Sequence, residues 1–133
     1  MYKIIIVNKG KNMRNQPKYS FFKNTKYALQ GLLDLIKNEK SFRIELVLVC
    51  ICIPVLFFID TNLTNKVIML ITLLLIPLTE ALNGAIERVV DLVTLEHHPM
   101  AGKAKDAGSA TVFISITIFV ITWGIFILEQ FLK

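Results

Sequence analysis

The chain has 133 residues, enough for one domain and too few for two of ordinary size. It is 54% hydrophobic with a mean hydropathy of +0.59, above what an ordinary soluble domain carries, and its net charge is +5. Ten of the fifteen Lys and Arg residues precede Ile44, against only Asp34 and Glu39 among the acids there. Such a basic third suits nucleic acid or anionic lipid, and the three long apolar runs downstream favour lipid and membrane orientation.

Residues 1–20 are polar and basic, with Pro17 and several Asn and Lys, and are expected to form a poorly ordered tail. Ile4 to Val7 is too short for the apolar region of a secretory signal, so none is expected here. From Phe21 to Asn38, Phe22, Ala28, Leu29, Leu32, Leu35 and Ile36 recur at helical spacing, with polar residues largely elsewhere. The spacing predicts an amphipathic helix over 21–38, too polar to span a bilayer and suited to its interface.

A charged hinge, residues 38–45, leads into the uncharged run Leu46 to Ile59. With its flanks this makes a first span over about 42–63. Cys50 and Cys52 inside it would point about 200° apart on a helix and cannot pair; they read as small packing residues. After a polar turn at Asp60 to Lys66, a second helix is expected over about 66–95, with a local kink at Pro77. A loop over residues 96–105 follows. Asp106 is expected to cap a third span over about 106–129, whose small residues Ala107 to Ala110 suit close helix packing. Trp123 is expected towards the far interface.

The second helix carries the most unusual chemistry. It enters as an almost purely apolar run, Val67 to Leu78, and then acquires Glu80, Asn83, Glu87 and Asp91. At 100° per residue these four side chains fall within roughly 80° of one another, on one face. Acids at membrane depth are costly and mark a function or a buried partner. The basic N-terminal third and the loop lysines Lys103 and Lys105 are expected to place this face in the cytoplasmic half of the bilayer, within reach of a cytoplasmic solute and a lipid headgroup.

Carboxylates suit a hard divalent cation, above all if Glu39 of the hinge joins them; Mg²⁺ prefers one or two carboxylates together with phosphate oxygens. Lys103 and Lys105 can neutralise phosphate, and a carboxylate in low dielectric can accept a proton from an alcohol. These parts suit phosphoryl transfer to a lipid hydroxyl. The same groups would also serve a structural ion network or the cation path of a non-catalytic oligomer. Gly102-Lys103-Ala104 is not a Walker A motif, and His97-His98 reads as a solvated loop pair.

Glu80-x-x-Asn83-x-Ala85-Ile86-Glu87-x-x-Val90-Asp91, then Glu96-x-His98 and Ala104-Lys105-Asp106-x-Gly108-Ser109-Ala110, resembles the bacterial integral-membrane diacylglycerol kinase family. Gly31-Leu32, Asn38-Glu39, Phe42-Arg43 and Glu45 fit it at the expected spacing, so the likeness covers about residues 20–130. The resemblance implies an all-α homotrimer of three-span protomers with an interfacial N-terminal helix, residues 21–133 forming one kinase domain in the bacterial cytoplasmic membrane, N-terminus inside. It implies phosphorylation of diacylglycerol to phosphatidic acid with ATP and Mg²⁺, and no nucleic-acid partner.

By the same resemblance Glu80 is the general base, with Asn83 beside it, and Glu39 and Glu87 hold the metal. Lys105 contacts phosphate near Asp91. Glu96, His98, Lys23 and Tyr27 fall on the nucleotide side, and Ser109 and Arg43 on the lipid side. A related branch phosphorylates undecaprenol; the Gly108-Ser109 pair leans towards diacylglycerol. Gly84 stands where the family usually has Ser or Thr, which is expected to weaken the helix beside Asn83. Pro77 also departs from the family pattern and is placed to re-aim Glu80.

Overall fold

In the computed structural model, which describes residues 19–132, four helices follow one another: α1 (Phe21–Asn38), α2 (Lys40–Phe58), α3 (Leu63–Val93) and α4 (Pro99–Leu132). The expected tail over residues 1–20 lies outside the described residues up to residue 18, as does Lys133. α2, α3 and α4 are each long and apolar enough to cross a membrane. At 1.5 Å per residue, α3 and α4 extend roughly 46 and 51 Å, beyond a hydrocarbon core of about 30 Å, so polar turns at their ends project past it.

Each boundary has a local cause. α1 ends where Glu39 adopts extended dihedrals (φ −103°, ψ 113°) while its N–H still donates to Leu35 O. Arg43 Nη1 donates to the Ile36 and Lys37 carbonyls at 3.1 and 3.0 Å, satisfying the orphan acceptors of that helix end. Asn62 caps α3, its Oδ1 accepting from the Asn65 N–H at 2.8 Å.

Two expectations from the sequence are corrected here. The helix expected to start at Asp106 starts at Pro99, so Asp106 lies inside α4 and caps nothing. His98 takes that role, its Nδ1 accepting from the Met100 N–H at 3.2 Å, with Pro99 in the first helical position, where it needs no donor. α2 stops at Phe58 and not near residue 63, because Ile59 to Asn62 form the turn into α3. Trp123 is buried between helices at the end remote from the acids: its Nε1–H donates to Met69 O at 3.0 Å and its ring lies 5.1 Å from that of Phe119.

Packing is segregated along the bundle. Met69 and Leu73 (both 0% exposed), Val49, Leu56, Ile59 and Trp123 form the core at the end remote from the acids. α3 buries Met69, Thr72, Leu73, Ile76, Asn83 and Gly84, a stripe at helical spacing that becomes polar halfway down. It continues without a break through Pro77, and the Thr79 hydroxyl pairs with Ser115 Oγ of α4 at 2.8 Å. Cys50 is exposed and Cys52 half-buried, and neither forms a disulfide. The outward faces of α2 and α4 remain apolar and exposed, as lipid contact or packing between copies requires.

Candidate active site

Two clefts in the polar half of the bundle gather its acidic and basic side chains. One, of about 410 Å³, is lined by Glu39, Ser41, Glu80, Asn83, Gly84, Glu87 and Ser109, with Val112, Phe113 and Ile116 as its apolar wall. Three elements converge on it. The junction of α1 with α2 supplies Glu39 and, from the first turn of α2, Ser41; α3 supplies Glu80, Asn83 and Glu87 from one face, and α4 supplies Ser109.

Asn83 is buried and its Nδ2 donates to Glu87 Oε1 at 3.2 Å, so the two are oriented together. Its Oδ1 is buried without a partner. Such an atom costs free energy unless something supplies a donor, and that state is common where a ligand binds. Gly108 of α4 makes room for this amide: a Cβ there would stand 2.5 Å from Asn83 Oδ1. Ser41 and Asn83 flank the Glu80 carboxylate. Glu45, one helical turn beyond Ser41, is buried beside Glu80 with its Oε2 unpartnered.

Gly84, expected to be the weak point of this face, packs against the neighbouring elements. A Cβ there would meet Leu35 Cδ2 at 3.7 Å and Glu39 Oε1 at 3.9 Å, ordinary contacts, so the position is close-packed without requiring glycine. The helix carries on through it because tertiary packing outweighs a propensity cost of about 1 kcal/mol.

The second cleft, of about 320 Å³, lies at the outer end and is lined by Asp91, Glu96, His97, His98, Lys103, Lys105 and Asp106, among others. Lys105 Nζ donates to Asp91 Oδ1 at 2.6 Å, across from α4 to α3. The remaining residues singled out in the sequence lie apart. Lys23 and Tyr27 are exposed on the early turns of α1 and line neither cleft. Arg43 is exposed and engaged with the α1 carbonyls.

Among the described residues, no three His, Cys, Asp or Glu side chains close into a metal cage. The hard oxygen donors of Glu39 and Glu87, on one cleft with room for phosphate, suit a cation that completes its shell with ligand oxygens.

The sequence pattern did not single out Arg88. Its Nη1 donates to Asp34 Oδ2 at 2.6 Å and its Nη2 to Glu39 Oε1 at 2.9 Å, tying α3 to the end of α1. The available signal was one cation set among the acids of α3, together with an unassigned Asp34 in a basic segment. Ser41 was equally silent, and for Gly108 the sequence suggested close helix packing without its partner; only the meeting of helices shows that the partner is Asn83.

The family model for "Prokaryotic diacylglycerol kinase" matches residues 26–127. The chain is 46% identical over 101 residues to a diacylglycerol kinase of Haemophilus influenzae, covering 76% of this chain and 86% of that protein. It is 39% identical over 104 residues to one from Pseudomonas aeruginosa (78% and 85% covered) and 38% over 105 residues to one from Escherichia coli K12 (79% and 86%). The matched region runs from within α1 almost to the end of α4 and contains both clefts. On this match the chain belongs to the prokaryotic diacylglycerol kinase family.

Proposed function

We propose that this chain transfers the γ-phosphoryl group of ATP to the free hydroxyl of membrane diacylglycerol, forming the new P–O bond of phosphatidic acid as the bond from γ-phosphorus to the bridging oxygen breaks and ADP leaves. What supports the reading most is the joining of Glu80, Asn83, Glu39 and Glu87 on a single cleft at the polar end of a membrane bundle. The match to a family of that name supports it independently. Residues 21–133 act as one kinase domain, with the N-terminus and both clefts on the cytoplasmic side of the bacterial inner membrane, in a homotrimer.

In this reading Glu80, set next to the apolar wall of Val112, Phe113 and Ile116, accepts the proton of the lipid hydroxyl as it attacks phosphorus. Asn83 stays beside it and orients Glu87 through the 3.2 Å bond. Glu39 and Glu87 would hold the Mg²⁺ that accompanies ATP, which would offset charge on the transferring phosphoryl group. Lys105, presented by Asp91, binds phosphate in the outer cleft, where Glu96 and His98 border the nucleotide and Lys23 and Tyr27 approach from α1. Ser109 and Arg43 serve the lipid side. Closure of the cleft by lipid and nucleotide keeps water from competing for the phosphoryl group.

The test is phosphate transfer from labelled ATP in mixed micelles, with diacylglycerol and undecaprenol offered side by side. Labelled phosphatidic acid as the dominant product supports the reading. Preferential labelling of undecaprenol would reassign the substrate, and cation flux through liposomes with no transfer to either lipid would overturn the enzyme.

A further inference from the structure

Glu39 stands at an awkward place for a metal ligand. It occupies the extended residue between α1 and α2, and its side chain makes no capping bond to α2. Among the described residues, the one hydrogen bond its carboxylate receives comes from Arg88, at Oε1, which leaves Oε2 free of any donor. A flexible glutamate with one oxygen pinned and the other turned loose can be aimed; without the pin it samples several rotamers.

Arg88 is pinned in turn. The planar guanidinium forks between two carboxylates, with Nη1 on Asp34 Oδ2 and Nη2 on Glu39 Oε1, and the other oxygen of Asp34 accepts from Asn38 Nδ2 at 2.6 Å. The relay Asn38, Asp34, Arg88, Glu39 thus links two turns of α1 to α3. Its charges matter as much as its geometry. A lone arginine next to Glu39 would compete with a divalent cation for the carboxylate. Paired with Asp34, it brings no net charge to the cleft, so it can orient Glu39 and leave its affinity for metal intact.

We propose that Arg88, neutralised by Asp34, is a positioning residue that holds the Glu39 carboxylate for the metal of the metal–nucleotide complex. The proposal rests on the reading of Glu39 as a metal ligand. Residues that hydrogen-bond a ligating carboxylate are commonly worth roughly 10–100-fold in metal affinity.

The experiment measures Mn²⁺ binding to the full-length protein in detergent by electron paramagnetic resonance, with the non-hydrolysable β,γ-imido analogue of ATP present. Arg88→Ala is expected to raise the Mn²⁺ dissociation constant about 10-fold. Arg88→Lys should fall between this and the parent, because an ammonium keeps the charge and loses the fork. Asp34→Ala should weaken Mn²⁺ binding by leaving the guanidinium uncompensated, yet add nothing in the Arg88→Ala background, where it has no partner to act through. A docking role for the clasp would leave Mn²⁺ affinity unmoved and lower only the unfolding temperature. Mn²⁺ affinity within twofold of the parent in Arg88→Ala, or an undiminished effect of Asp34→Ala in that background, overturns the proposal. If Arg88→Ala does not fold, Arg88→Lys carries the test, and parental affinity there overturns it. Glu39→Gln separates the layers: if it also binds Mn²⁺ normally, the metal-ligand reading has failed, whereas a weakened Glu39→Gln beside a normal Arg88→Ala removes the positioning role alone.

Discussion

Gly108 on α4 and Asn83 on α3 are packed so closely that no side chain fits between them: a Cβ on Gly108 would stand 2.5 Å from Asn83 Oδ1. Gly108→Ala therefore sets two effects against each other. Alanine favours the helix by about 1 kcal/mol, while the methyl pushes the Asn83 amide out of line and breaks its bond to Glu87. We expect helix content to survive and kcat to fall at least about 10-fold, the loss of roughly 1.4 kcal/mol of transition-state stabilisation. Activity equal to the parent would mean that Asn83 has no fixed orientation to lose.

Gly84→Ala is the contrasting case. Its Cβ enters ordinary contact with Leu35 and Glu39, at 3.7 and 3.9 Å, and relieves a glycine in mid-helix. The expected result is a rise in thermal stability of up to about 1 kcal/mol with kcat within twofold of the parent. A large loss of activity would show that the cleft depends on bare backbone at this position.

Glu80→Gln keeps the shape, exchanges one acceptor oxygen for a donor and removes the proposed base. Transfer to diacylglycerol should fall roughly 10²–10⁴-fold with KM for ATP little changed, as measured by initial rates in mixed micelles. A fully active variant would sink the base assignment.

Lys105→Met should raise KM for ATP several-fold with almost no change in unfolding temperature, because the 2.6 Å pair with Asp91 is solvent-exposed and such pairs stabilise a fold little. An equal loss of stability and nucleotide affinity would make the pair structural.

Trp123→Ala tests the opposite end of the bundle. Removing a buried indole that donates to Met69 O costs at most about 3–5 kcal/mol; the lower part of that range applies in lipid, where water exclusion does not drive helix association. Denaturant titration should show the loss, while KM for ATP in the surviving folded protein stays at the parental value.

Much of this protein was legible in one dimension because period and polarity act locally. Apolar runs mark α2, α3 and α4, alternation at helical spacing marks α1 over residues 21–38, and the 100° step puts Glu80, Asn83, Glu87 and Asp91 on one face before any packing is known. The spacing of those residues also sufficed for the family. The start of α4 was misplaced by seven residues, since His98 and Asp106 are both competent caps and only the loop geometry selects between them.

What the sequence by itself determined is the helix inventory, the membrane-length runs and the acidic face, all of which follow from neighbours within a few turns. The tertiary structure alone decided which residues meet across helices: Trp123 with Met69, Gly108 with Asn83, and above all Arg88 with Asp34 and Glu39. Those partners lie 54, 25, 54 and 49 positions apart in the chain, and no periodicity encodes a contact at that range. Such pairings arise only when helix faces dock, so the geometry that aims a carboxylate belongs to the fold and the carboxylate itself to the sequence.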